Sequence, residues 1–358
     1  MKKINSPSFF IGKGDDTKLI SFGSGQPDLP PPKRAFDVIR SFSGFKYGLI
    51  QGDLDLRQAL SDEQEKSHPD DFIITNGASE AIDLSLRAIF QRGGKVMLPR
   101  PYYYSYPYNV EFAHMKPVYY DLVNGKIDWD NFFQIVQQKN ILAVMINSPS
   151  NPTGTIQDLE ILNKIEKITQ KLGIYIISDE VYKDLIYDRE TYLIKGKNVI
   201  TINSFSKTYS MCGIRIGYLY IRDKKLIYKI VEMKTHTSMN TSILGQIMAR
   251  EAMRESQKYI DRQVQTWHAR RDLIYNELIN LGLPVWKPEG AFYVFPKIGT
   301  TAKDSQDAVN TLYYKYNIIT YDGSWFGAPG HIRFSYALTQ EKIKEGMRRF
   351  KKFLSVFQ

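Results

Sequence analysis

Lys207 closes the run Ser204-Phe205-Ser206-Lys207, just beyond an apolar stretch, Val199–Ile202, that reads as a strand. A lysine at the mouth of a sheet and beside hydroxyls suits Schiff-base chemistry. That chemistry needs a neutral amine, and partial burial near positive charge lowers a lysine pKa. Eight residues on, Arg215 precedes a further apolar run, and its fork of donors suits a phosphate. Asp179, in Ser178-Asp179-Glu180-Val181-Tyr182, follows another strand-like run. An acid there is costly to desolvate unless it meets a cation, such as a protonated pyridine nitrogen; a helix N-cap is the alternative role.

Three further turns follow apolar runs in the same way. Asn147-Ser148-Pro149-Ser150-Asn151-Pro152-Thr153-Gly154 has two prolines and a glycine to fix its backbone, so Asn151 presents its amide rigidly. Asn76-Gly77-Ala78-Ser79-Glu80 opens a helix with small residues. Its N–H groups and the Ser79 hydroxyl suit a phosphate, while the turn taken alone favours ordinary capping. Pro101–Tyr108 holds five tyrosines, able either to stack on a flat ring or to pack between domains; only one need serve a cofactor.

These turns are positioned by an alternation of short apolar runs and longer amphipathic segments. Phe72–Thr75, Lys95–Leu98, Lys116–Tyr120, Ile141–Ile146, Ile174–Ile177, Val199–Ile202 and Ile216–Tyr220 read as strands. Glu80–Phe90 and Gln157–Leu172 read as helices. Continuous rather than alternating apolar strands mean burial on both faces, as in a mostly parallel sheet covered by helices. In such sheets, sites form outside the carboxyl ends of the strands. After about Asn240 the pattern changes to a long helical stretch, Ser242–Leu281, two strands, Ala291–Phe295 and Ile332–Tyr336, and a final helix, Gln340–Leu354. That reads as a smaller α+β unit, onto which the Pro- and Gly-rich N-terminal segment packs back.

The 358 residues, 43% hydrophobic, suffice for one large domain with a smaller companion. The predicted division is 45–260 for the large domain and 1–44 plus 261–358 for the small one. Lysine and arginine exceed the acids by ten, yet acids alternate with them, and the dense run Met347–Lys352 fits a solvated helix face. Nucleic acid is therefore not an expected partner; anionic small substrates suit the charge. No apolar stretch approaches membrane-spanning length, Met1–Pro7 lacks the apolar run of a secretory signal, and one cysteine, Cys212, cannot form an internal disulfide. A cytoplasmic location is expected.

Taken together, the segment Ser204 to Gly217, with Asn151-Pro-Thr-Gly154, Asp179-Glu-Val-Tyr182, His331-Ile-Arg333-Phe-Ser and Gly23-Ser-Gly25-Gln-Pro27-Asp28, resembles fold-type I pyridoxal-phosphate enzymes. The resemblance is to the class I and II aminotransferases related to aspartate aminotransferase, and it runs from Gly23 to Arg333. It implies an α/β fold whose large domain has a mostly parallel sheet of seven-stranded type, with a smaller α+β domain. It also implies transamination between an L-amino acid and a 2-oxo acid, glutamate and 2-oxoglutarate being one pair. β-Lyases and decarboxylases share the scaffold.

By resemblance, Lys207 binds pyridoxal 5′-phosphate covalently and then moves a proton. Asp179 keeps the ring nitrogen protonated, Asn151 and Tyr182 bind the ring's phenolate oxygen, and Tyr103 stacks on the ring. Ala78, Ser79, Ser204, Ser206 and Arg215 surround the phosphate. Arg333 clamps the substrate carboxylate, with Gly25 adding a backbone N–H. Tyr47 matches a tyrosine that reaches the neighbouring subunit's phosphate, which implies a homodimer with shared sites. No metal is called for. Ser79 stands where acid-specific relatives carry a lysine, and Tyr102, Tyr104, Trp325 and Phe326 either favour an apolar or aromatic amino donor or belong to the core.

Overall fold

The apolar runs form the strands of one large sheet in the computed structural model, which describes residues 4–10, 18–190, 194 and 196–357. Over all the described residues the strands are β1 (Ile20–Ser21), β2 (Phe72–Thr75), β3 (Lys95–Arg100), β4 (Lys116–Val123), β5 (Lys126–Ile127), β6 (Ile141–Asn147) and β7 (Tyr175–Asp179). They continue with β8 (Val199–Ser204), β9 (Gly217–Ile221), β10 (Tyr293–Val294), β11 (Ile318–Ile319), β12 (Tyr321–Asp322) and β13 (Ile332–Ser335). The large sheet has the order β2-β9-β8-β7-β6-β3-β4-β5. Pairing is parallel from β4 through β3, β6 and β7 to β8. Every residue of β8 is buried, as are all but one in β6 and β7, which is why these strands are apolar throughout rather than alternating.

The sheet has eight strands where seven were expected. The extra one, β5, folds back antiparallel on β4 through Asn124-Gly125, both at positive φ (52° and 75°). Asn-Gly is the pair best suited to such a hairpin turn, so the signal was present in the sequence.

β9 runs antiparallel to both its neighbours, and this reversal matters for the site. Its first residue, Gly217, lies opposite Thr75 of β2 and Ser204 of β8. The turns after β2 and β8 and the turn before β9 are thereby gathered at one edge. A Cβ on Gly217 would meet the Gly77 carbonyl carbon at 2.6 Å, the Ala78 nitrogen at 2.8 Å and the Asn203 oxygen at 2.8 Å, all backbone atoms.

The rest of the chain builds a second apolar cluster around two small sheets, β10-β13-β12 and β1-β11. Phe22, Trp267, Phe292, Phe334 and Phe350 are completely or almost completely buried there. The N-terminal segment does pack back: β1 pairs in parallel with β11, and Phe22 lies edge-on to Phe334. The expected single helix over 242–281 is two, Ile243–Met253 and Gln257–Asn280. Between them the Glu255 carboxylate accepts from the Ser256 N–H (3.1 Å), a local bond that competes with the helical one. The strand expected over 291–295 shrinks to Tyr293–Val294, because Ala291 sits in the left-handed region (φ 57°). In the final helix, Gln340–Phe357, Met347 and Phe350 face the core while Arg348 and Lys351 stay exposed. No helix among the described residues is long and apolar enough to cross a membrane.

Because only backbone surrounds it, Gly217→Ala has no side chain to displace. The substitution is expected to destabilise the protein by about 2 kcal/mol or more in denaturant unfolding. An unchanged unfolding midpoint would show that the turns do not depend on this close approach.

Candidate active site

A cavity of about 370 Å³ opens where the carboxyl ends of the large sheet meet the second cluster, and Lys207, Asp179 and Arg333 all line it. Lys207 sits in a single helical turn, Phe205–Thr208, begun by Ser204, whose Oγ accepts from the Ser206 N–H (3.0 Å). The Lys207 Nζ donates to the Gly25 carbonyl (2.6 Å) and lies over the Phe292 ring, 5.9 Å from its centre. Gly25 thus meets the lysine through its oxygen. A Cβ there would come within 2.1 Å of the Tyr293 hydroxyl, so only glycine lets this segment cross so close.

Asp179, the last residue of β7, is buried. Tyr106 donates to its Oδ2 at 2.5 Å, and the Val181 N–H approaches Oδ1 at 3.4 Å. Burial pushes the Asp179 carboxyl up to about 6, against the opposing pull of Tyr106, Val181 and the Lys207 charge. Its register partner on β6, Asn147, joins two elements of the site. The Asn147 Nδ2 donates to the Asp179 carbonyl (3.0 Å), and its Oδ1 accepts from the Asn151 N–H (2.7 Å). Asn151 accepts in turn from Arg333 Nη1 (2.9 Å).

Arg333 is only 2% exposed. Its guanidinium carbon lies 4.5, 4.7 and 4.9 Å from the ring centres of Tyr293, Tyr321 and Phe326. The Nη2 donates to the Gly23 carbonyl (2.6 Å), while the buried Nε has no partner. A buried guanidinium with a spare donor beside a cavity can take a carboxylate. Tyr182 shares a hydrogen bond with Tyr293 at 2.9 Å between hydroxyls.

At the other end, the helix Gly77–Ile89 points its first turn into the cavity, where Ala78 and Ser79 lie. Asn76 makes no side-chain cap; its own N–H is taken by Glu80 (2.6 Å). That leaves the helix N-terminus open to an anion, which favours the phosphate-binding alternative. Ser204, Ser206 and Arg215 close the same corner. A Cβ on Gly77 would lie 2.3 Å from Arg215 Nη2, so the guanidinium rests on the turn itself.

Twelve of the thirteen site residues read from the sequence line this cavity. The exception is Tyr47, which is 83% exposed and does not reach it within one chain. Among the five tyrosines of 101–108, Tyr103, Tyr104 and Tyr106 line the cavity; Tyr103 and Tyr104 were expected there and Tyr106 was not. Tyr102 stacks on Tyr119 instead, and Trp325 and Phe326 pack behind the lining. Tyr106, Asn147, Tyr293 and Tyr321 were missed. Asn147 alone carried a signal, as the first residue past a buried strand.

The sequence matches the family model described as aminotransferase class I and II over residues 17–350. It is 34% identical over 366 positions to a probable aspartate/prephenate aminotransferase of Aquifex aeolicus, covering 96% of this chain and 92% of that one. It is 30% identical to aromatic-amino-acid aminotransferase 2 of Thermococcus litoralis, covering 94% and 92%. The crystal structure of the aspartate aminotransferase of Thermotoga maritima superposes with a TM-score of 0.89 at 28% identity, over 98% of this chain and 95% of that one.

Because the folded Asp179 carboxyl titrates near 6 rather than 3.8, the cofactor-free native state binds its proton before the unfolded chain does. Its contribution to stability is therefore lost as pH rises from about 4 to about 6. Asp179→Asn lacks this loss. Its stability relative to wild type is expected to climb by up to about 3 kcal/mol across that window, read by denaturant unfolding of both cofactor-free proteins. A difference independent of pH would contradict the buried-charge account.

Proposed function

The chain belongs to the class I and II aminotransferase family and is a transaminase, and from that premise we propose that it works with pyridoxal 5′-phosphate on an L-amino acid and a 2-oxo acid. Glutamate and 2-oxoglutarate form one of its substrate pairs. The observation that carries this reading is the convergence of Lys207, Asp179 and Arg333 on one cavity from three separated parts of the chain. The fit to the cofactor rests on chemistry at both ends. An uncapped helix N-terminus with three serines and Arg215 suits a phosphate, and a buried carboxylate to which no cation is hydrogen-bonded suits a protonated ring nitrogen.

When bound, the cofactor supplies an electron sink for the carbanion left by loss of the Cα proton. Lys207 Nζ would hold the cofactor covalently and, as a free amine, would take the proton from Cα. Asp179 would keep a proton on the ring nitrogen. Asn151 and Tyr182 would serve the ring's phenolate oxygen, and Tyr103 the ring face. Ala78, Ser79, Ser204, Ser206 and Arg215 would bind the phosphate. Arg333 grips the substrate α-carboxylate, with Gly25 beside it, and so sets the Cα–H bond at the angle for loss.

The amino acid of the other pair carries an apolar or aromatic side chain. Tyr104, Tyr293, Tyr321 and Ile82 line the cavity, and among the described residues its lining cations are Lys207, Arg215 and Arg333, each with a role already. Ser79 offers a hydroxyl where acid-specific relatives offer a charge. The working unit is a homodimer, in which the exposed Tyr47 serves the other protomer's phosphate; exposed Phe45 and Leu49 beside it support that placement.

Lys207→Ala is expected to cut turnover by about 10³-fold or more, measured as 2-oxo acid formation from saturating donor and acceptor. Near-normal turnover would overturn the assignment. Arg333→Lys replaces a fork by a point charge and is expected to raise KM about tenfold or more. An unchanged KM would remove the carboxylate clamp.

A further inference from the structure

One oxygen of the Asp179 carboxylate is engaged before any ligand arrives. Tyr106 donates to Oδ2 at 2.5 Å, and both side chains are buried. The tyrosine is held from its own backbone: it is the first residue of the helix Tyr106–Phe112, Pro107 follows it, and its N–H donates to the Tyr103 carbonyl (2.9 Å). Its ring lies edge-on to Tyr103, 5.4 Å between centres, within the apolar cluster that also holds Val110, Met145 and Ile177. Burial pushes the phenol well above its usual range, so it remains a donor wherever the enzyme works. The other titratable groups around Asp179 are Lys207, Tyr182 and Glu180, and none of them donates a hydrogen bond to its carboxylate among the described residues. Oδ1 keeps only the long approach of the Val181 N–H at 3.4 Å.

We propose that Tyr106 is a positioning residue for this reaction: its hydroxyl holds the Asp179 carboxylate ionised and in one orientation, leaving the other oxygen for the cofactor's ring nitrogen. The inference rests on the cofactor reading above. It assigns the tyrosine a task beyond satisfying its own buried hydroxyl. A hydrogen bond to a charged group is worth more than one to a neutral group, so the phenol favours the carboxylate over the acid. Below the pH at which Asp179 gains its proton, binding a protonated ring has to expel that proton. Affinity then falls as pH falls, and Tyr106 sets where the fall begins.

The test uses cofactor-free protein and pyridoxine 5′-phosphate, which has the ring nitrogen and the phosphate but no carbonyl to bond Lys207. Its affinity is measured by calorimetry from pH 5 to 8 for wild type, Tyr106→Phe, Asp179→Asn and the double variant. Thermal unfolding confirms that each is folded. Wild-type affinity is expected to drop below about pH 6. In Tyr106→Phe the drop moves up by about one to two pH units, and affinity at pH 7 is about three- to tenfold weaker. With Asn at 179, adding Tyr106→Phe changes affinity less than about twofold, because the tyrosine acts through the charge. Tyr120→Phe is the control for losing a buried hydroxyl, since Tyr120 donates to the Met145 carbonyl (2.7 Å); it keeps the wild-type profile. A Tyr106→Phe profile that coincides with wild type, or an equal loss in the Asp179→Asn background, overturns the positioning role while leaving the cofactor reading intact. No binding to wild type at any pH overturns both.

Discussion

A carboxylate buried at the end of an apolar strand is the constraint around which the site is arranged. Asp179 lies in the middle of a sheet whose strands are buried on both faces, and burial pushes its carboxyl up to about 6. A charge so placed needs partners from elements that can reach it. The chain supplies a phenol from the helix after β3, a backbone amide from the residue two positions on, and Asn147 from the neighbouring strand to fix the main chain. Lys207 adds its charge from across the cavity without bonding the carboxylate, and the proposed cofactor would bring a cation into contact through its ring nitrogen. The second buried charge, Arg333, is handled differently. Three aromatic rings, an amide oxygen and a carbonyl surround it, and one nitrogen, Nε, is left without a partner.

Topology brings these groups together. Parallel strands deliver Asn147, Asp179 and Ser204 to one edge of the sheet, and the reversed β9 brings Arg215 to the same edge from the opposite chain direction. Gly217 fixes how closely the turns after β2 and β8 approach, because backbone from both neighbours fills the place of its side chain. The N-terminal segment closes the cavity from the other side. Its Gly23 and Gly25 carbonyls accept from Arg333 and Lys207, so the two cations most important to the proposed reaction share one short stretch of chain.

Much of this was legible in the sequence because the informative residues follow apolar runs. Lys207, Asp179, Asn151 and Ser79 each come just after a strand that burial on both faces makes continuous, and the carboxyl-end rule then places them together. The resemblance added Arg333 and Gly25, which no local pattern predicts, since their contacts span 182 residues or more. Tyr106 was hidden among five similar tyrosines; helix geometry, not composition, decides which of them turns inward. Tyr293 was read as part of a strand, as it is, but a strand pattern alone does not say that its side chain lines the cavity. The Asn124-Gly125 hairpin was missed because a two-residue strand has too little periodicity to register. The break at Glu255-Ser256 was missed because neither residue excludes a helix.

The central claim is that this cavity carries an amino group between two substrates, and a single half-reaction tests it most directly. Cofactor-loaded protein would be mixed with single amino acids, with no 2-oxo acid present, while absorbance and released 2-oxo acid are followed together. One equivalent of 2-oxo acid per site is expected from an apolar or aromatic donor, with the lysine-bound cofactor band replaced by that of the amine form and restored by 2-oxoglutarate. Continuous release of ammonia and 2-oxo acid without an acceptor, or a band that no amino acid changes, would contradict it.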